Sequence, residues 1–269
     1  MFDKQHVHYA ILEIEGCKAE LFVNGIPVLR LVPGPFSMLS NPVQHVLVDG
    51  ENRLELVVEP GDRPSETRHP LRQARLPGVR ARARIARFLD GDVVNMETGE
   101  AWLDIRYEGD AERDDILPHV AVGRTDFGEL AGRWAFEDAP VLTLDEPLVA
   151  EAHERLQEIA RVIREGSLEE YVALYRVVMR ERQRAYPAIP EGHLEKGAAF
   201  LWNRYRQTPD PVLPLARDQH DFRLVADGRL LECLDLDFQP SLRVRTPEGS
   251  IVPFGILLAR IGGRLEIAR

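Results

Sequence analysis

The stretch PLVAEAHERLQEIARVIREGSLEEYVALYRVVMRERQRAY, residues 147–186, decides how the rest of the chain is arranged. Apolar residues recur in it every three or four positions, which is the spacing of amphipathic helices. Gly166 interrupts this spacing, and the next four residues, Ser167 to Glu170, form a capping box that begins a second helix. We therefore predict two consecutive helices that are separated at Gly166.

A third helix and a series of strands follow this pair. The apolar spacing predicts a helix over residues 191–207, and turn residues then separate short strands up to the last residues of the chain. Helices followed by antiparallel strands are typical of an α+β domain in which the helices pack on one face of the sheet. We assign residues 146–269 to a domain of three helices and an antiparallel sheet.

The C-terminal half resembles the nuclear-transport-factor-like fold, which is cystatin-like and includes the SnoaL type. The segment REGSLEEY, residues 164–171, is similar to a helix start in that fold, and the terminal hairpins extend the likeness over residues 146–269. The resemblance implies a cone-like α+β domain. Because it concerns topology, it implies no enzyme role.

The N-terminal half alternates short strands with tight turns. Asn24-Gly25 predicts a hairpin, and a second hairpin is predicted to join residues 43–47 to residues 54–58. Two further strands are predicted at residues 120–122 and 134–136. The segments LFVNGIPV and DGENRLELVVEPG resemble the galactose-binding-like jelly roll, and the match covers residues 19–59. This resemblance implies an antiparallel β-sandwich, which we assign to residues 1–145, and no particular ligand.

Composition and length indicate two domains with substantial cores, because the chain has 269 residues and is 44% hydrophobic. The first residues lack the pattern of a secretory signal. Every apolar run is much shorter than the roughly 18 residues that are needed to span a bilayer. We expect a cytoplasmic protein without membrane contact. Cys17 and Cys233 are predicted to be buried free thiols, and the Cys and His spacing predicts no metal site and no cofactor.

Negative charge is concentrated in one part of the chain. The net charge is −10, and residues 88–145 contain 15 acidic residues against 4 arginines. This excess disfavours nucleic acid as a partner and permits a basic protein, while ordinary solubility is the alternative explanation of the charge. We predict that the densest acidic segment contacts this partner, through Glu108, Asp110, Glu112, Asp114 and Asp115.

An arginine-rich segment precedes the acidic one. Arg80, Arg82 and Arg84 alternate with alanine, so a strand places their side chains on one face. One interpretation is a stripe that binds anions or nucleic acid. The other, which we prefer, is an outward face that pairs with the acidic strand predicted over residues 101–107.

The candidates for chemistry lie mainly in the last strands. His220 neighbours two aspartates, while Asp235 and Asp237 are predicted to share a strand face. We found none of the sequence motifs of hydrolases, metalloproteases or nucleotide-binding enzymes, so no catalytic residue is predicted. An alternative pocket is predicted from Tyr171, His220, Asp235 and Asp237.

These observations favour a non-catalytic bacterial immunity protein that neutralises a cognate basic toxin, such as a nuclease of a type VI secretion system. One alternative is a SnoaL-like isomerase or hydratase, which requires His220, Asp235 and Tyr171 to meet in one cavity. Another alternative is a carbohydrate-binding module. It requires exposed aromatic side chains near the loops of the sandwich, for which the candidates are Phe36, Phe127 and Trp134.

Overall fold

The computed structural model of the chain describes residues 2–34, 37–69, 72–130, 132–213 and 216–269. Helices and antiparallel strands are both present, which confirms the α+β class. The chain forms two compact units: the first contains Met1–Asp62, Glu66–Arg133 and Ala185–Ala188, and the second contains Arg63–Ser65, Trp134–Arg184 and Ile189–Arg269. Residues 134–145, assigned to the first domain from the sequence, therefore belong to the second unit.

The first unit is built from ten strands among the described residues. They are β1 (His6–Glu15), β2 (Ala19–Val23), β3 (Ile26–Leu31), β4 (Met38–Pro42), β5 (Glu51–Val58), β6 (Arg72–Ala74), β7 (Arg80–Leu89), β8 (Glu100–Glu108), β9 (Asp115–Leu117) and β10 (His119–Asp126). Two sheets have the strand orders β4-β1-β7-β8 and β10-β5-β2-β3, and β6 pairs with β9. Strands β1 and β3, and likewise β8 and β10, contact each other across the two sheets.

The two asparagines of the jelly-roll-like segments meet in the first unit. Asn24 adopts a left-handed conformation (φ 53°) in the β2–β3 turn, which confirms the Asn24-Gly25 hairpin. Its Nδ2 donates to Oδ1 of Asn52 at 2.8 Å, and the backbone N–H of Val48 donates to the same oxygen at 2.9 Å. Asn52 in turn donates to the carbonyls of Val48 and Gly50.

This network explains why the second predicted hairpin is wrong. Residues 44–46 form a short 3₁₀-helix, and the loop from Val48 to Gly50 is bonded to the Asn52 side chain instead of to a strand. Strand β5 pairs with β2 and β10. The Asn52 side chain therefore determines the path of this loop.

We expect Asn52→Ala to lower the free energy of unfolding of the first unit by about 2 kcal/mol, because buried donors and acceptors lose their partners. The measurement is chemical denaturation followed by tryptophan fluorescence and circular dichroism. Asn41→Ala is the matched control, since among the described residues the Asn41 side chain makes a single hydrogen bond, from its Nδ2 to the Val28 carbonyl at 3.3 Å. Equal losses in the two variants would contradict the assigned role of Asn52.

The C-terminal half of the chain contains four helices and seven strands among its described residues. They are α1 (Glu146–Glu165), α2 (Leu168–Leu174), α3 (Arg176–Ala185), α4 (His193–Tyr205), β11 (Val212–Leu213), β12 (His220–Val225), β13 (Leu230–Asp235), β14 (Leu242–Arg245), β15 (Ile251–Phe254), β16 (Leu257–Ile261) and β17 (Arg264–Ile267). The sheets have the orders β12-β13-β16-β17 and β11-β14-β15. Helix α1 contacts α2, α4, β11 and β17.

The predicted helix boundaries are confirmed where local caps set them. Asp145 Oδ1 accepts the Leu148 N–H at 2.9 Å, which begins α1. Ser167 and Glu170 bond reciprocally, at 2.7 and 3.1 Å, and begin α2. The predicted second helix is nevertheless broken at Tyr175, whose N–H donates to a carbonyl only three residues back. Four helices therefore replace the three that we predicted.

Two other predicted strands differ from the structure. Residues 134–136 form a turn, because the carboxylates of Glu137 and Glu181 accept the backbone N–H groups of Trp134 and Ala135, each at 2.6 Å. Among the short strands predicted near the end of the chain, the sequence indicates one continuous strand over residues 251–259, but the structure divides it at Gly255. The part before Gly255 pairs with β14 and the part after it pairs with β13, so the chain changes sheets there.

Cys17 and Cys233 are both buried and free, as the sequence predicts. In the described part of the chain, none of the helices combines the length and the apolar composition that a bilayer crossing requires.

Candidate functional site

The predicted partner-contacting segment lies between β8 and β9 in the first unit. Asp110 and Glu112 are exposed in it, and neither forms an ion pair with any of the described residues. Asp110 Oδ1 accepts the Glu112 N–H at 2.8 Å, which shapes the turn. These two carboxylates give the segment an uncompensated negative charge.

Two of the other acidic residues, Asp114 and Asp115, form bonds within the protein. Asp114 accepts from Arg75 Nε at 2.7 Å. Asp115 is only 6% exposed and accepts from the Tyr107 hydroxyl at 2.7 Å. Burial, together with this carboxylate, raises the pKa of Tyr107. The burial of Asp115 corrects its predicted place in the contact surface, because its carboxylate faces the interior.

Glu108 borders a shallow groove of about 380 Å³ on the first unit. Arg80 and Arg106 line the same groove, so positive charges lie beside Glu108. Arg80 pairs with Glu15 and Arg106 with Asp104. Glu108, which is exposed and forms no ion pair with the described residues, therefore adds to the negative charge of Asp110 and Glu112.

The arginine-rich strand β7 is paired as preferred from the sequence. Arg82 bonds to Asp104 at 2.6 Å and to Glu97 at 2.8 Å, and Arg87 bonds to Glu100 at 2.8 Å. The bond from Arg82 lowers the pKa of Asp104. Arg80 pairs with Glu15 at 3.6 Å. Arg84 is buried and donates to the Met96 and Thr98 carbonyls, so β7 does not present the anion-binding stripe of the other interpretation.

A cavity of about 450 Å³ opens in the second unit beside α1. Apolar side chains form much of its wall, and two histidines face each other in it. The rings of His153, on α1, and His220, on β12, have centroids 4.6 Å apart at an angle of 76°. Phe222 packs against both rings, at 5.0 and 5.5 Å.

The hydrogen bonds of His220 define which ring nitrogen carries its proton. The Ser241 hydroxyl donates to the Leu234 carbonyl at 2.7 Å, so it accepts from His220 Nδ1 at 2.9 Å. Nε2 of His220 is therefore left as an acceptor. Burial lowers the pKa of His220 to about 4, and His153 adds to this effect, so the ring is neutral at pH 7.

His153 is the second imidazole of the cavity. It is 8% exposed and makes no hydrogen bond with the described residues. Burial, and then the nearby cation of Arg217, lower the pKa of His153. Sequence reasoning missed this residue. The signal was present, because His153, Gln157, Ala160 and Arg164 recur along one side of α1 beside its apolar stripe.

Only one of the four residues of the predicted alternative pocket lines this cavity, namely His220. Tyr171 lies in the apolar core, with its ring 5.4 Å from that of Tyr175. Asp235 Oδ1 accepts the N–H groups of Asp237 and Gln239, both at 2.9 Å, and so closes a turn.

The predicted face shared by Asp235 and Asp237 is wrong, because β13 ends at Asp235. Across the described ranges, no group of three or more His, Cys, Asp or Glu side chains is arranged to hold a metal ion. Asp235 and Asp237 therefore remain parts of a turn.

The aromatic residues proposed for sugar binding are not exposed where the structure describes them. Trp134 is 0% exposed and Phe127 is buried, while Phe36 lies outside the described residues. Comparison with known proteins adds no assignment. No family model, curated protein or solved structure matches this chain. The acidic segment and the histidine cavity are therefore the two features from which a function can be inferred.

Proposed function

We propose that this chain is a non-catalytic binding protein of the immunity type, which neutralises a basic toxin by direct contact. The contact surface is the acidic segment, defined here as residues 108–114. The toxin of a type VI secretion system, such as a nuclease, has the basic substrate-binding surface that this segment fits. Cytoplasmic residence of the chain is part of the same proposal.

One observation carries the proposal: Asp110 and Glu112 are exposed between two strands and lack an ion pair within the described residues. The neighbouring arginines of β7 are held by other carboxylates, so they do not neutralise this charge. Exposed charge of one sign accelerates the encounter with a partner of opposite sign. In an inhibitor, such charge occupies the place of the substrate's phosphates.

The same proposal includes a jelly-roll β-sandwich followed by a cystatin-like domain. The two facing four-stranded sheets of the first unit and the contacts of α1 with β11 and β17 support it. In this arrangement the acidic segment is held by β8 and β9, the strands that flank it.

The test begins with co-purification of the chain with the products of neighbouring genes. For the partner obtained, we expect the change Asp110→Lys/Glu112→Lys to reduce the association rate constant about tenfold at low salt. The difference should shrink as salt screens the interaction. Stopped-flow fluorescence over a range of salt concentrations measures both effects.

The double change Glu165→Lys/Glu169→Lys is the matched control, because it alters the net charge equally on exposed residues of α1 and α2. It should slow association much less. Equal slowing by both double changes would show that only net charge matters. If Asp110→Lys/Glu112→Lys leaves the association rate constant unaltered, the acidic segment is not part of the interface.

A second candidate is an enzyme that uses the histidine cavity for acid–base chemistry. The observation that favours it is the neutral His220, whose Nε2 is an acceptor in the cavity. The convergence required of the SnoaL-like alternative is missing, since Tyr171 and Asp235 lie outside the cavity. Turnover that is abolished by His220→Gln would establish this candidate, whereas His220→Gln has no effect on inhibition of a toxin.

A further inference from the structure

We infer that the histidine cavity of the second unit binds a small zwitterion of the amino-acid class with an apolar side chain. The cavity has about 450 Å³ of space, which lies within the usual range of about 300–1,000 Å³ for small-ligand sites. The inference concerns the second unit alone and does not depend on the proposed toxin partner.

The charges at the cavity suit a ligand that has one positive and one negative group. Arg164 is held by Asp210 at 2.8 Å. Glu154 and Arg217 also line the cavity, and neither forms an ion pair with the described residues. One carboxylate and one guanidinium are thus open to a ligand. An ammonium group of the ligand would pair with Glu154. A carboxylate of the ligand would pair with Arg217 through two parallel hydrogen bonds.

The histidines supply hydrogen bonding without adding charge. Nε2 of His220 is an acceptor, because Nδ1 donates to Ser241, and an N–H of the ligand is the complementary group. His153 is more than nine-tenths buried, lines the cavity and has no hydrogen-bond partner among the described residues. Because its ring nitrogens still reach solvent, a ligand in the cavity can form a hydrogen bond with either of them.

The remaining wall determines what the ligand's side chain can be. Leu156, Leu213 and Leu242 line the cavity together with two alanines of α1. An aliphatic side chain buries its surface against these residues at a gain of about 25 cal/mol per Å². Leucine has both charged groups and such a side chain, and it is therefore the probe of choice.

The experiment follows the ring signals of His153 and His220 by NMR in the full-length chain. The probes are L-leucine, 4-methylpentanoate, which lacks the ammonium group, and 3-methylbutylamine, which lacks the carboxylate. We expect L-leucine to shift both rings with a Kd of about 1 mM or lower. Each analogue should bind at least about tenfold more weakly, because a charge-assisted hydrogen bond is lost.

Two variants connect each charge of the ligand to one side chain. Arg217→Ala should weaken L-leucine about tenfold and leave 3-methylbutylamine unchanged, since that probe has no carboxylate. Glu154→Ala should weaken L-leucine similarly and leave 4-methylpentanoate unchanged. Arg245→Ala and Glu165→Ala remove exposed charges away from the cavity, and they should not alter binding.

Three results would overturn the inference. One is the absence of any shift of either ring at about 10 mM L-leucine, where a ligand with a Kd of about 1 mM would occupy most sites. Another is equal binding of the three probes, which would show that the charged groups are not recognised. The last is equal weakening by the cavity variants and the two control variants.

Discussion

Replacing Glu181 with alanine is expected to lower the free energy of unfolding of the second unit by about 3–5 kcal/mol, the largest single effect we predict. Glu181 pairs with Arg269, and their side chains are only 4% and 5% exposed. Arg269 lies over the rings of Trp134 and Phe136, 5.4 and 4.8 Å from their centroids. Without Glu181, this guanidinium would remain buried without its carboxylate.

A lost hydrogen bond to the backbone also contributes to the destabilisation of the Glu181→Ala variant. Glu181 Oε1 accepts the Ala135 N–H at 2.6 Å, and this bond is lost in the same variant. Burial lowers the pKa of Arg269, while the charge of Glu181 opposes the shift. Removing Glu181 therefore removes the group that favours the charged form of Arg269.

Chemical denaturation measures the effect, and an exposed ion pair provides the control. Glu151 bonds to Arg260 at 2.6 Å, but their side chains are 36% and 30% exposed. Glu151→Ala should cost less than about 1 kcal/mol. The double change Glu181→Gln/Arg269→Met should cost less than Glu181→Ala, because no unpaired buried charge remains. Similar losses for Glu151→Ala and Glu181→Ala would contradict this account.

Acidification is expected to destabilise the first unit through His8. The imidazole is 5% exposed and lies among the rings of Phe2, Trp102 and Phe127, at 4.9–6.1 Å between centroids. Neither ring nitrogen has a hydrogen-bond partner among the described residues. Burial, with the charge of Arg87 second, lowers the pKa of His8 from 6.5 to about 4.

The direction of the effect follows from proton binding. Between pH 6.5 and pH 4 the unfolded chain binds a proton at this position and the folded chain does not, so stability falls as the pH falls. The difference in pKa corresponds to a loss of about 3 kcal/mol across this window. Above pH 6.5 the histidine is neutral in both states, and its contribution does not vary with pH.

We expect His8→Leu to remove most of this acid sensitivity when unfolding is measured by denaturant titration at pH 7 and at pH 4.5. Phe88→Leu is the matched control, because Phe88 is buried on β7 and has no ionisable group. Its loss of stability should be the same at both pH values. If wild type and His8→Leu lose equal stability on acidification, other groups determine the acid sensitivity.

The sequence predicted those features whose interactions lie within a few residues. The Asp145 side chain caps α1 by accepting the N–H of Leu148, three residues later in the chain. Ser167 and Glu170 bond to each other across one helical turn. The Asn24-Gly25 turn is equally local. The alternation of β7 also predicted its pairing with the acidic strand, because β7 and β8 are consecutive in the chain.

Features made by distant residues escaped prediction. The histidine cavity joins His153 to His220, and no local pattern indicates that these rings lie 4.6 Å apart. Asp115 was predicted to be exposed with the rest of the acidic segment. It is instead buried in the first unit, where its carboxylate accepts from the Tyr107 hydroxyl. Residues 134–136 are another example. Their apolar side chains predicted a strand, but the distant Glu181 carboxylate accepts the Ala135 N–H and holds the segment in a turn.

The sequence by itself determined the α+β class, the caps of α1 and α2 and the position of the acidic segment, because local hydrogen bonds and apolar spacing suffice for them. The tertiary structure alone decided which carboxylates stay exposed and which side chains form the cavity. The physical reason is that burial and pairing depend on residues brought together from distant positions, such as Glu181 and Arg269.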